Sequence, residues 1–163
     1  MGMYTGIRFK GYVKPEFRQD FEDIALNGEW EESNIKEFRE FGDRFDRASS
    51  IPCGSLSYMP DEWEWYNDKF KEYSSEWFDS AEATDGFERT YNKDTGYWTF
   101  QCSLKNYESE IENWFKLIPL FIEKIEHLEY FYEEWEYSSR YDIVNGEVIC
   151  IDEDFIKYNE YCL

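Results

Sequence analysis

One histidine, His127, and four cysteines without a C-x-x-C pair leave the chain short of the closely spaced ligands that a zinc site needs. Cys53, Cys102, Cys150 and Cys162 stand far apart and read as reduced thiols rather than a disulfide framework. No run of about 18 apolar residues occurs, and the N-terminal MGMYTGIRFKG has no apolar signal region. Neither a membrane span nor a secretory leader is expected, and the expected compartment is the cytoplasm. Cations are scarce too: 17 Lys and Arg face 37 Asp and Glu, a formal net charge of -20. Direct binding to DNA or RNA needs clustered Lys and Arg that release counterions, and no such cluster is present. Anionic membranes are disfavoured on the same ground. There is no P-loop, no Gly-rich dinucleotide fingerprint and no H-E-x-x-H, so no cofactor is expected and an enzyme is disfavoured.

What the chain has in excess is aromatic rings and acid. Aromatics make up 21% of the 163 residues, which supplies far more core-forming surface than a disordered acidic chain carries. The length suits a single domain spanning residues 1–163, with one core. The acid is uneven. Residues 1–60 hold 11 acids against 8 bases, 61–100 hold 11 against 4, and 101–163 hold 15 against 5.

The apolar periods suggest the following elements. YTGIRFKGYV alternates Ile7 and Phe9 with Arg8 and Lys10, as a half-buried strand does. Pro15 then opens a helix whose Phe17, Phe21 and Ile24 share one face up to Asn27-Gly28. A second helix is expected after Asn34, which forms a capping-box pattern with Glu37 and is followed by an Ile35, Phe38, Phe41, Phe45 stripe. A short strand is expected over Ser55 to Met59, and a helix over Trp63 to Trp77 from the spacing of its rings. FERTY-NKDTG-YWTFQCSL reads as a hairpin, and RYDIV-NG-EVICI as another around Asn145-Gly146.

Between these hairpins, Ile111, Trp114, Phe115, Ile118, Phe121, Ile122 and Ile125 mark a deeply buried helix in which Pro119 should produce a kink. The stretch YFYEEWEYSSRY, residues 130–141, packs six aromatics and three glutamates into twelve positions. As a helix it would place Leu128, Phe131, Tyr132 and Trp135 on one face; as a strand its ring content fits β-propensity. A helix continuing from Tyr107 to Glu136 would be long for one domain, which favours a strand beginning near His127. The whole is expected to be an α+β domain: a mainly antiparallel sheet with helices packed on one face, with a ferredoxin-like arrangement as a candidate.

The blocks YTGIRFKGYVKPEF, IPCGSLSYMPDEW and TGYWTFQCSLKNYE resemble small uncharacterised acidic proteins encoded by phages and mobile elements of Gram-positive bacteria. The resemblance covers most of the chain and carries no catalytic motif. It implies a setting in which small acidic proteins often inhibit host defence, as anti-restriction and anti-CRISPR inhibitors do.

Three groups invite a chemical reading and favour a plain one. His127 lacks a companion nucleophile, and Cys53-Gly54-Ser55 lacks the positive surroundings that activate a thiolate. Asp152-Glu153-Asp154 lacks the spacing of a calcium loop. No catalytic residue and no metal ligand is expected.

Carboxylates interleaved with rings, in contrast, suit a protein surface. The acids steer a basic partner and repel anionic ones, while Tyr and Trp serve as rigid anchors. The expected contacts are Trp63, Trp65, Glu133, Glu134, Trp135 and Glu136. Basic partners are mostly nucleic-acid-handling proteins. The leading reading is therefore an inhibitor that fills the nucleic-acid groove of a host nuclease or defence complex as a partial DNA or RNA mimic. Strand neighbours on one face lie about 6.6 Å apart, a spacing comparable with successive phosphates. The alternative is an immunity protein or antitoxin that neutralises one basic toxin.

Overall fold

The computed structural model describes residues 3–56, 59 and 86–157. Among them, six strands run β1 (Tyr4–Val13), β2 (Thr90–Tyr91), β3 (Tyr97–Lys105), β4 (Ile122–Tyr132), β5 (Ser139–Val144) and β6 (Glu147–Asp152). They form one antiparallel sheet in the order β2-β3-β1-β4-β5-β6. Among the described residues four helices accompany them: α1 (Glu22–Asn27), α2 (Lys36–Arg44), the single turn α3 (Ser50–Cys53) and α4 (Glu110–Phe121), with 3-10 segments at Pro15–Asp20 and Trp30–Glu32. The fold is α+β. Its first four strands follow the β-α-β-β-α-β connectivity of the ferredoxin-like arrangement in the order 2-3-1-4, and the β5–β6 hairpin is added outside β4.

Residues opposite one another in an antiparallel pair share a face. Phe9 lies between Phe100 and Leu128, and Ile7 between Cys102 and Tyr130. This row meets the helices. Trp30, Trp98 and Trp114 are fully buried there with Phe21, Phe38, Phe100 and Phe121. Phe21 alone has ring neighbours at 4.9 Å (Trp98), 5.2 Å (Phe121) and 5.6 Å (Phe38). Such edge and tilted contacts add about 0.5–1.5 kcal/mol per pair beyond area burial. The indole N–H of Trp30 donates to Ile51 O at 2.7 Å and that of Trp98 to Ala25 O at 3.0 Å, so neither ring buries an unmet donor.

Several expected boundaries move. The first helix is divided into the 3-10 segment and α1, on either side of buried Phe21. At α2 no capping-box bond forms; Ile35 occupies the cap, and its N–H is taken by Ser33 Oγ at 3.0 Å. Gly54–Leu56 is not strand, and the expected strand's Ser57 and Tyr58 lie outside the described residues, as does the helix expected over Trp63 to Trp77. α4 does not extend through Ile125. It passes Pro119 and stops at Phe121, and β4 begins at once at Ile122, five residues before the expected start. Pro119 has no N–H to give the carbonyl of Phe115, so the last turn lacks one helical bond, while the carbonyls of Pro119 and Phe121 accept from Lys14 Nζ and Lys14 N–H at 2.9 Å and 2.8 Å.

Gly28 caps α1 at φ 68°, and a Cβ there would sit 2.5 Å from Ser49 O. Backbone handedness and backbone contact both demand glycine. Gly28→Ala should cost about 1–3 kcal/mol in urea unfolding; an unchanged midpoint would contradict this account of the cap.

Candidate partner-binding surface

The acid–aromatic stretch begins inside the sheet and ends outside it. Alternation along β4 sends Phe131 to the face away from the helices, where it packs with Leu56, Met59, Phe155 and Ile156. Tyr130 and Tyr132 project to the other side. The chain then turns. Tyr4 and Glu133 exchange two bonds: Glu133 N–H donates to Tyr4 O at 3.0 Å, and Tyr4 N–H donates to Glu133 Oε1 at 2.8 Å. Trp135 N–H donates to Tyr132 O at 2.8 Å, closing the turn.

Trp135 emerges from that turn 43% exposed, with its ring 5.6 Å from Tyr130 and 6.0 Å from Tyr132. The strip continues inward, because Tyr130 lies 6.1 Å from Tyr141, and Phe115 of α4 lies 4.8 Å from Tyr141. Tyr130 Oη donates to Glu112 Oε2 at 3.1 Å. Burial, reinforced by the Glu112 charge, holds the Tyr130 phenol well above its ordinary pKa, and burial also raises Tyr141. Both remain neutral donors. The strip opens into a groove of about 590 Å³ between α4 and the β5–β6 hairpin, lined by Phe115, Tyr141 and Val148 and edged by Glu112, Glu147 and Lys116.

The six expected contact residues therefore have different roles. Trp135 and Glu134 are exposed side by side. Glu133 is committed to Tyr4 and so helps to hold β4 against β1. Glu136 is paired with Lys157 at 3.1 Å. Trp63 and Trp65 lie outside the described residues. The sequence reading missed Tyr141, Phe115 and Glu112; the alternation Arg140, Tyr141, Asp142, Ile143 was the available signal. It also underweighted the N-terminal acids. Asp20, Glu22, Asp23, Glu29 and Glu32 surround a recess of about 240 Å³ together with Lys93, which reaches Glu22 at 3.7 Å.

The other concentration of charge is buried. The sequence pattern put Arg8 and Lys10 on a solvent face, but Arg8 is buried, because the second face of the sheet is packed as well. Arg8 Nε donates to Gln101 Oε1 at 3.1 Å, and its guanidinium lies 5.0 Å from the Phe87 ring. Its register partner Glu129 is 0% exposed and sits 3.0 Å from Nε2 of His127, itself 2% exposed. His127 is enclosed by the rings of Phe87 and Phe155. Burial depresses its pKa against the opposing pull of Glu129, so the ring is neutral and donates Nε2–H. Burial alone would raise Glu129, yet the His127 bond, the nearby positive charge of Arg8 and a bond from Ser138 outweigh it and hold the carboxylate ionised. Sealed from solvent, this cluster lies between β1 and β4, where Arg8 and Glu129 are register partners.

Cys53, Cys102 and Cys150 are free thiols. Burial raises Cys53 and Cys102, which is the opposite of activation. Among the described residues no group of three or more His, Cys, Asp or Glu is placed to hold a metal ion, and no helix is long and apolar enough to cross a membrane. Compared with models of protein families, with curated proteins and with solved structures, the chain matches none.

Proposed function

We propose that this protein is a cytoplasmic, non-enzymatic inhibitor that binds a basic, nucleic-acid-handling protein of its host and blocks the groove where nucleic acid would lie. The observation that carries the reading is the exposed Trp135 on its Tyr130–Tyr132 platform, with Glu134 beside it and Glu112 bonded to Tyr130, on a chain of net charge -20. An exposed indole with its ring fixed by two tyrosines is preorganised to bury against a partner at small entropic cost. Surrounding carboxylates accelerate encounter with a cationic surface and reject anionic ones. The phage-like wording of the sequence blocks suits this setting.

The test is capture followed by competition. The tagged protein is expected to retain a basic DNA- or RNA-binding protein from bacterial lysate, and added duplex DNA or RNA should displace it. Capture that nucleic acid leaves untouched would favour the immunity-protein alternative, in which the blocked surface lies outside the groove. Salt-sensitive binding of the protein itself to bare duplex would overturn mimicry altogether.

A further inference from the structure

We propose that β6 is an acceptor strand, which takes up an extended segment of a protein partner, bearing Lys or Arg, as an added strand on the open edge of the sheet. The proposal rests on the reading that the partner is basic, but it turns on the backbone edge of β6 and not on the Trp135 ring.

Asn145 and Gly146 have φ of 53° and 80°, the type I′ turn that makes Val144 and Glu147 the hydrogen-bonded pair closing the hairpin. Alternation along the ladder then points the N–H and C=O of Val148 and Cys150 away from β5. Among the described residues no strand pairs with that side of β6 and no hydrogen bond takes up those groups.

Natural edges are usually blunted by lysine, proline or an inward charge. Here EVICID presents four successive apolar residues, with neither lysine nor proline. Ile149 is 40% and Ile151 52% exposed on one face of the edge, while Val148 on the other lines the groove beside Phe115 and Tyr141. An added strand would therefore find backbone partners and apolar contact on both sides.

Charge selects the occupant. Glu147 and Asp152 end the strand, Glu153 and Asp154 follow it, and Glu112 faces it across the groove with Lys116 as the neighbouring cation. A second copy would bring the same acidic edge and its own charge of -20. A basic segment pairs with these carboxylates.

The test uses an eight-residue peptide of alternating Lys and Val, the same peptide N-methylated at every second amide, and its Glu–Val counterpart. Amide exchange is followed by NMR in the full-length protein. The Lys–Val peptide should slow exchange at Val148 and Cys150 by about tenfold or more, the methylated and acidic peptides should not, and Ile149→Lys with Ile151→Lys should abolish the effect. Equal protection by the methylated peptide would mean charge attraction without strand pairing and would overturn the proposal. So would no protection at all, or protection that grows with protein concentration in the absence of peptide, the sign of self-pairing. Trp135→Ala should leave this protection unchanged. Failure here alone leaves the captured partner displaceable by nucleic acid, whereas failure of the proposed function alone leaves β6 competent for the peptide.

Discussion

Glu129→Ala is expected to destabilise the fold by about 3–5 kcal/mol, the cost of breaking a buried charge cluster from one side. The carboxylate accepts from His127 Nε2–H, lies in register with buried Arg8 and has no exposed surface. Its loss strips Arg8 of a compensating charge in a place water cannot reach. Melting should fall on the order of 10 °C for a chain of this length. Glu129→Gln keeps one acceptor oxygen but loses the charge and puts an N–H donor in place of the other oxygen, so it should fall between the alanine variant and the parent. If both variants melt with the parent, the cluster contributes nothing to the fold.

The same cluster sets the response to acid. A histidine with a depressed folded pKa stays neutral while the unfolded chain takes up a proton, so stability falls as pH drops below the ordinary value of 6.5. A depressed carboxylate likewise gives stability that is present above its unfolded pKa and lost as pH falls through the lower folded value. Both act in one direction. Urea stability should decline between pH 7.5 and 5.5 through the histidine, and further below pH 4.5 through Glu129. His127→Gln, which retains a donor for Glu129, should flatten the first part and leave the second. A parent protein as stable at pH 5.5 as at 7.5 would show that His127 is not held neutral.

How much of this was legible in the sequence depends on which force set each feature. β1 and the Asn145-Gly146 hairpin were readable because alternation and turn chemistry are local. The helix-to-strand change at Phe121–Ile122 was not: Ile122 and Ile125 extend the 3.6-residue period, and only pairing with Val13 and Gly11 of β1, more than a hundred residues away, makes them strand. Asn34 and Glu37 have the spacing of a cap, yet the tertiary path puts Ile35 at the cap position. Arg8 and Lys10 looked like the solvent half of an alternation because sequence cannot reveal that both faces of a sheet are covered. Trp135 was legible as a candidate surface ring, since 7 Trp, 14 Tyr and 14 Phe are more than one small core needs. The bond of Glu133 to Tyr4 was not legible, since it depends on the pairing of β4 with β1.

That difference between neighbouring glutamates determines how the contact surface must be tested. Trp135→Ala should weaken binding of the captured basic partner by about 2 kcal/mol or more, roughly thirtyfold, because a preorganised indole is the anchor type that alanine scanning finds most costly. At 43% exposure its removal should leave folding nearly unchanged, which urea unfolding of the same variant checks. Reversing Glu133 would be a poor probe, since it also breaks the bond to Tyr4, and Glu136 is already neutralised by Lys157. Glu134 and Glu147 are exposed, so the pair Glu134→Lys with Glu147→Lys reverses surface charge, and urea unfolding of the same variant checks what the contact between Glu134 and Tyr132 contributes to the fold. That pair should slow association severalfold at low salt and have little effect at high salt, where exposed charges are screened beyond about 10 Å or less. The tryptophan variant should lose affinity at both, chiefly through faster dissociation. Folded variants of both kinds that bind as tightly as the parent would leave the acid–aromatic stretch a solvated face, and the partner would have to dock elsewhere.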